Sequence, residues 1–506
     1  MIKNIKWLLL VSLTFMACND DETVTYDTAD GLPLTAGTAN FSKYVALGDS
    51  FAAGFSDGAL FIEGQKGAYP NILAQQFALV GGGTFTTPFM ADNTGGLLLG
   101  GTPIQGVRLY FNGKAPVAVA GSPTTEITNR LTGKFNNMGI PGAKSFHLLA
   151  PGYGNIAGVA LQTASPYFSR FSSNATTTVL ADAVAQTPTF FSLWIGGNDV
   201  LGYALSGGDG TNPITPSAGA AGVGFDATYE ALVNTLTAAT PKGVVANLPY
   251  VNSLPFFTFV ATNPVPLNAT QVASLNQLWG GLNAILAAAA QPARFQTLTV
   301  SATNPLLIAD DMLAFDATAL FTAALQGAPF NFPAPTAGFL GTLYGKARHA
   351  SAAAATRDFV LLSSAGTIGT TQPGLPPNNN TIGVTFPMAD KAILSAGEVA
   401  LVKTATDAYN DKIKAVATAK GLAFVDAKMI MNDLSTTGIT ANNFTINATF
   451  VSGGAFSLDG FHPTPRGYAL IANEFIKAIN LKYGSNLNGV NLGNYRILFP
   501  RDAANF

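Results

Sequence analysis

A serine hydroxyl attacks a carbonyl carbon only when a base takes its proton, and an imidazole serves as that base when a carboxylate fixes its tautomer and steadies its charge. The chain holds three histidines, His147, His349 and His462, so the search for such a base is short. His462 follows Asp459 by three residues, on a turn that contains Gly460 and leads into Pro463, so both side chains can project from one loop. His147 and His349 have no carboxylate partner so near in sequence. The first reads as a residue on a helix face, the second as part of an Ala-rich segment. Two serines stand among glycines. Ser50, in Gly48-Asp49-Ser50, comes directly after an apolar run, whereas Ser56, in Gly54-Phe55-Ser56-Asp57-Gly58, matches the G-x-S-x-G pattern of a nucleophile elbow. An elbow sits between a strand and a helix. Ser56 comes several residues after the run has ended, so Ser50 is the better-placed nucleophile for acyl transfer.

The elements that must position these groups follow from the apolar patterns. Residues 44–47 are short, apolar and β-prone, and they deliver Ser50 to the carboxyl end of a strand. Residues 190–195 repeat the arrangement before Gly196-Gly197-Asn198-Asp199, residues 243–248 run into Pro249, and residues 422–425 end at Asp426. A helical pattern over 396–419 precedes the last of these, and strands separated by helical segments imply a parallel sheet. Ligands of such sheets sit beyond the carboxyl ends of the strands, where these polar motifs fall. The expected fold is therefore α/β, a flavodoxin-like three-layer α/β/α arrangement around a central parallel sheet, with a large insertion. The final helix is well marked: Thr464 can cap it, Pro465 suits its first turn, and Tyr468, Ala469, Ile471, Ala472, Phe475 and Ile476 form an apolar stripe. Over 251–385, Pro, Ala, Thr and Asn replace clean strand–helix alternation, which reads as the insertion; a smaller one spans about 81–134. Phe256, Phe257 and Phe259 open the larger one. They either line an apolar acyl pocket or pack beneath a loop, and packing is the commoner fate of clustered aromatics.

Gly48-Asp49-Ser50, Gly142, Gly196-Gly197-Asn198-Asp199 and Asp459-Gly460-Phe461-His462-Pro463, in this order, resemble the blocks of the SGNH (GDSL) hydrolase family. The resemblance covers 41–250 and 386–482 and leaves 251–385 unaccounted for. Phe51 stands where the family name expects Leu, at a packing position. The resemblance implies a serine esterase or lipase that works through an acyl-enzyme, with Ser50 as nucleophile, His462 as base and Asp459 as its orienter. It also implies an oxyanion hole made of the Ser50 N–H, the Gly142 N–H and the Asn198 side chain, the kind of fixed donor set that stabilises a localised negative oxygen. Gly139, in the same stretch, competes with Gly142 for that role, and only the family register favours Gly142. Acyl-lipid or other apolar esters are the expected substrates. Acetylated glycans, or a non-catalytic ligand-binding surface lipoprotein, are the alternatives. No cofactor is implied, and no metal: Cys and His pairs at ligand spacing are missing and the acidic residues do not cluster along the chain.

Composition bounds the rest. In 506 residues, 48% hydrophobic content suffices for a packed core, while 11% charged residues fall well below the roughly 25% usual in soluble domains. With 53 glycines and a mean hydropathy of +0.29, the surface should be uncharged, loop-rich and suited to lipid or apolar ligands. A net charge of -2 without basic blocks excludes nucleic acid as a partner. Lys3 and Lys6 precede an apolar run over 7–16 that is too short to span a bilayer, so 1–17 reads as a signal segment. Phe15-Met16-Ala17-Cys18 resembles a lipoprotein cleavage box, with Phe15 in place of the usual Leu and Cys18 as the acylated residue. Cys18 is the one cysteine, so no disulfide can form within the chain. Asn19, Asp20, Asp21 and Glu22 resemble the surface-export signal of Bacteroidetes lipoproteins. The expected layout is signal 1–17, flexible tether 18–40, hydrolase domain 41–250 with 386–482, insertion 251–385 and tail 483–506. Such a protein would be exported and held at the outer membrane by lipid on Cys18, with an ester as its substrate.

Overall fold

The computed structural model describes residues 31–502, so the expected signal segment, Cys18 and the first part of the tether lie outside the described residues. Strands β1 (Tyr44–Gly48), β2 (Asn137–Gly139), β3 (Phe190–Trp194), β4 (Gly243–Ala246) and β5 (Ala423–Val425) form one parallel sheet in the order 2-1-3-4-5. Every residue of β1 and of β3 is buried. Strands covered on both faces need continuous apolar runs, which is what Tyr-Val-Ala-Leu and Phe-Phe-Ser-Leu-Trp supply.

The helices that follow or flank the strands are α1 (Ser50–Ala53), α2 (Tyr69–Ala78), α3 (Asn198–Leu205) and α4 (Phe225–Ala239); α5 (Ala269–Ala288), α6 (Thr318–Gln326) and α7 (Ala334–Tyr344) pack apart from the sheet, and α8 (Ala396–Lys420), α9 (Ala427–Ser435) and α10 (Pro465–Tyr483) return to it. Two groups of neighbours flank the strands, α2 against α10 and α8 against α3 and α4. The start of α10 is as its sequence implies: Thr464 Oγ1 accepts the Gly467 N–H at 3.0 Å, and Pro465 opens the first turn, where no N–H is needed.

The strand missing from the sequence reading is β2. Its three residues, Asn-Met-Gly, carry no β-prone run, and tertiary packing decides their conformation. Gly139 pairs with Gly48, and a Cβ on it would come within 2.2 Å of the Ala53 nitrogen, so only glycine lets β2 lie against α1. Within the expected smaller insertion, two hairpins form, Leu97–Leu99 with Thr102–Gln105 and Leu109–Phe111 with Pro116–Ala118. The end of the expected tether is not loose. Thr38 N–H donates to Tyr483 O at 2.9 Å and Thr35 N–H to Asn486 Oδ1 at 2.6 Å, so residues 35–38 are fastened to the end of α10. The tail is held too, with Leu487, Leu492 and Phe499 buried.

A second hydrophobic cluster, separate from the one around the sheet, gathers residues from Val265 to Ile393. Its centre is Trp279 on α5, which stacks on Phe295 with ring centroids 4.8 Å apart and meets Tyr344 edge-on at 5.2 Å. Among the described residues no helix is long and apolar enough to cross a membrane. Because the two clusters are separate, Trp279→Ala should destabilise by about 3–5 kcal/mol, the usual cost of emptying a buried aromatic site. Hydrogen exchange read by mass spectrometry should show protection lost over 265–350 and kept over 44–48 and 190–194. Equal loss in both regions would mean that the clusters unfold as one unit.

Candidate active site

Ser50 stands at the carboxyl end of β1, Gly142 three residues beyond β2, and Asn198 opens α3 just beyond β3. Asp49 caps α1, its Oδ1 accepting the Phe51 N–H at 3.0 Å, which leaves Ser50 as the first helical residue. First-turn N–H groups have no partner inside their helix. Among the described residues the Ser50 N–H has none elsewhere either, and the same holds for the Gly142 N–H. Gly142 is exposed, adopts the left-handed φ of +79°, and has open space where a side chain would stand. Gly139, the rival, already donates its N–H to Asn137 Oδ1 at 3.0 Å and is sealed against α1. Packing thus separates two glycines that spacing could not.

Asn198 ties these loops together. Its Nδ2 donates to Ala143 O at 3.0 Å and reaches Asp49 Oδ2 at 3.4 Å. One amide hydrogen is firmly held; the other makes a long bond that it can exchange for a better acceptor. Asp199 completes the frame by accepting from Ser145 N–H and Oγ, each at 2.8 Å, and so fixes the segment after Gly142 to the start of α3. The sequence reading placed Asp199 within a motif without giving it a task.

His462 and Asp459 are paired as their spacing implies. His462 Nδ1 lies 2.9 Å from Asp459 Oδ2, while Asp459 Oδ1 accepts the N–H groups of Phe461 and His462 and the Ser457 hydroxyl. Burial works to raise the Asp459 pKa, but the charge of His462 and these hydrogen bonds outweigh it and hold the carboxyl below its ordinary range. The imidazole is flanked by Phe461, Phe55 and Phe51, with ring centroids 4.3, 4.5 and 5.7 Å away. The last two belong to the turn and helix that carry Ser50. The Ser50 hydroxyl itself makes no hydrogen bond among the described residues, to His462 or to any other group.

The stretch around Ser56 has a different job. Ser56 is fully buried and its Oγ donates to Pro463 O at 3.2 Å, so it is no exposed nucleophile. Asp57 N–H donates to Ser457 Oγ, Leu458 N–H to Asp57 Oδ1 and Gly58 N–H to Asp459 Oδ2, each at 2.9 Å. Residues 56–58 therefore clasp the loop that carries Asp459 and His462. Burial pushes the Asp57 carboxyl up to about 7, against the pull of the Leu458 N–H, and its Oδ2 is buried without a partner. Asp49 is likewise pushed by burial to about 7, although the Phe51 N–H and the His462 charge lower it.

The other histidines are held elsewhere: His147 Nδ1 accepts the Lys144 N–H and buried His349 accepts the Gln296 N–H. Of the aromatic run, Phe257 is buried, Phe256 lies edge-on to Phe461, and Phe259 is exposed beside Phe450. The expectation that acidic residues do not cluster needs correction. The fold brings carboxylate oxygens of the adjacent Asp310 and Asp311 and of Asp390 within 4.8 Å of one another, a grouping invisible along the chain because some 80 residues separate Asp390 from the other two. Comparison with protein-family models, curated proteins and solved structures finds no match to this chain.

The Asp57 carboxyl gives a signed pH dependence. With its folded pKa raised above the unfolded value of about 4, the folded chain binds the extra proton between about pH 4 and 7. Its contribution to stability is present at the acid end and lost as pH rises through that window. Asn keeps the Oδ1 acceptor and tolerates the positive φ of 51° at this position. Asp57→Asn should therefore melt with a shallower decline from pH 4 to 7 than the parent; identical slopes would show that this carboxyl does not titrate there.

Proposed function

We propose that the chain is a serine ester hydrolase of the SGNH type, acting on esters with an apolar acyl part. The observation that carries this reading is a convergence of donors. Two backbone N–H groups without partners, from Ser50 and Gly142, accompany an Asn198 amide with one loosely held hydrogen, and a buried histidine–carboxylate pair is docked on the turn next to Ser50. In the first step His462 Nε2 takes the Ser50 proton as Oγ bonds to the ester carbon, and the three donors hold the resulting oxyanion. The C–O bond to the alcohol then breaks, and His462 returns the proton to the departing oxygen. Water, deprotonated by the same ring, attacks the acyl-serine; the acid leaves and Ser50 regains its proton. Asp459 stays ionised throughout and stabilises the imidazolium, in keeping with its lowered pKa. The missing Ser50–His462 hydrogen bond is compatible with this scheme, since such contacts are often long without substrate and tighten in its complex.

The strand order 2-1-3-4-5 and the two groups of helices support a flavodoxin-like three-layer arrangement within this proposal, with the second cluster as an insertion. Export and lipid attachment at Cys18 belong to it on sequence grounds alone. One observation favours a second reading, ligand binding without catalysis. A cleft of about 1330 Å³ in the second cluster, lined by Leu275, Phe339 and Pro376 among others, includes no charged residue.

A fluorophosphonate probe tests the enzyme directly. It should label the parent on Ser50 and leave Ser50→Ala unlabelled, with hydrolysis of short nitrophenyl esters lost in step; a folded parent that takes no label would favour the binding reading. Asn198→Ala should lower kcat by roughly 10²- to 10³-fold, the usual cost of one oxyanion donor. A loss of only a few-fold would remove Asn198 from the site.

A further inference from the structure

Beside Phe51, the residue after Ser50, lies a cavity of about 50 Å³ between α9, α10 and the carboxyl ends of β3 and β5. Its walls include Phe51 and Pro463, the residues that follow the candidate nucleophile and base, together with Trp194, Met431, Leu434 and Ile471. No charged side chain lines it, and the indole nitrogen of Trp194 is already engaged with Asn247 O at 3.0 Å. The cavity therefore offers nothing to a polar group and would leave any it received without a partner. Phe51 and Ile471 are partly exposed, so this wall borders the face open to solvent.

Resting on the esterase reading, we infer that this cavity is the acyl site and that it sets the enzyme's chain length at about four carbons. An acyl carbon bonded to Ser50 Oγ begins one residue away from Phe51, whose ring lies 5.0 Å from Trp194 and 5.7 Å from His462, measured between centroids. An acyl chain turning away from the oxyanion donors needs apolar surface, and this carbon-lined space has in its wall Phe51 and Pro463, the residues next in sequence to both reacting groups. At roughly 10–15 Å³ for each water-sized group, the volume of about 50 Å³ takes roughly three to five of them, about four at the midpoint, enough for a butyryl tail and too little for a long fatty chain. Each seated methylene is worth about fourfold in kcat/KM, so butyrate, with two more, should exceed acetate by roughly fifteenfold and the gain should not continue to octanoate.

The test measures kcat/KM for nitrophenyl acetate, butyrate, hexanoate and octanoate in the parent, in Ala427→Leu and in Met431→Ala, each checked for a cooperative thermal transition. Ala427 and Met431 both line the cavity, so the first change fills it and the second enlarges it. Filling should reduce the butyrate-to-acetate ratio to near one, and enlargement should move the optimum to hexanoate or beyond. If either variant folds, labels with fluorophosphonate and keeps the parent's chain-length profile, the acyl-site assignment is wrong while the esterase reading stands. If the folded parent neither labels on Ser50 nor cleaves any of these esters, both fall together.

Discussion

The site depends on a clasp between two segments some 400 residues apart. Ser56, Asp57 and Gly58 exchange hydrogen bonds with Ser457, Leu458, Asp459 and Pro463, and through them the loop carrying the imidazole is set on the turn that follows Ser50. Tyr468 on α10 strengthens the same junction by donating to Phe55 O at 2.7 Å. Because each bond joins a backbone group of one segment to a hydroxyl or carboxylate of the other, small lateral shifts would break several bonds at once. The geometry is held as a unit rather than by one contact. The length of chain between the segments matters little to this closure, since each doubling of a loop costs only about 0.6 kcal/mol. A segment of well over a hundred residues, with its own hydrophobic cluster, can therefore lie between β4 and β5 without weakening the join.

Electrostatics reinforces that arrangement. Asp49, Asp57 and Asp459 are all buried, the first and last within reach of the His462 charge and Asp57 beside Asp459, yet their pKa values move in opposite directions, up for the first two and down for the third. The difference lies in their partners. Asp459 receives the ring of His462 and several N–H donors, whereas Asp57 has one donated N–H and an oxygen with no partner. Ionising Asp57 would place like charge beside Asp459, so the pair is settled by charging one carboxyl and suppressing the other. That asymmetry concentrates negative charge where an imidazolium would form.

Much of this was legible in the sequence because the signals are local. The β1 and β3 runs, the Thr464–Pro465 start of α10 and the Asp459–His462 spacing each express a single nearby constraint, and each has its counterpart in the structure. What escaped notice depends on tertiary context. β2 exists because Gly139 can approach α1, not because its three residues favour a strand. Residues 35–38 look like a spacer until the end of α10 supplies their partners. Ser56 resembles a nucleophile by pattern and becomes a fastener by burial, a distinction that no window of sequence contains.

The frame that holds the candidate oxyanion donors explains why a chain so poor in charge buries carboxylates here. Only 28 of its residues are acidic, and Asp49, Asp199 and Asp459 all accept hydrogen bonds from backbone N–H groups around the site. Each bond orients a loop, and at Asp459, whose carboxyl is held below its ordinary range, the ionised acceptor makes such bonds roughly twice as strong as neutral ones. Asp199 fixes the segment after Gly142 to the same helix start that presents Asn198, so donors from two strand ends are positioned by one carboxylate. The Ser50 and Gly142 N–H groups have no partner among the described residues and stand on loops that these carboxylates hold still; the proposed oxyanion role asks for donors placed in this way before any charge develops.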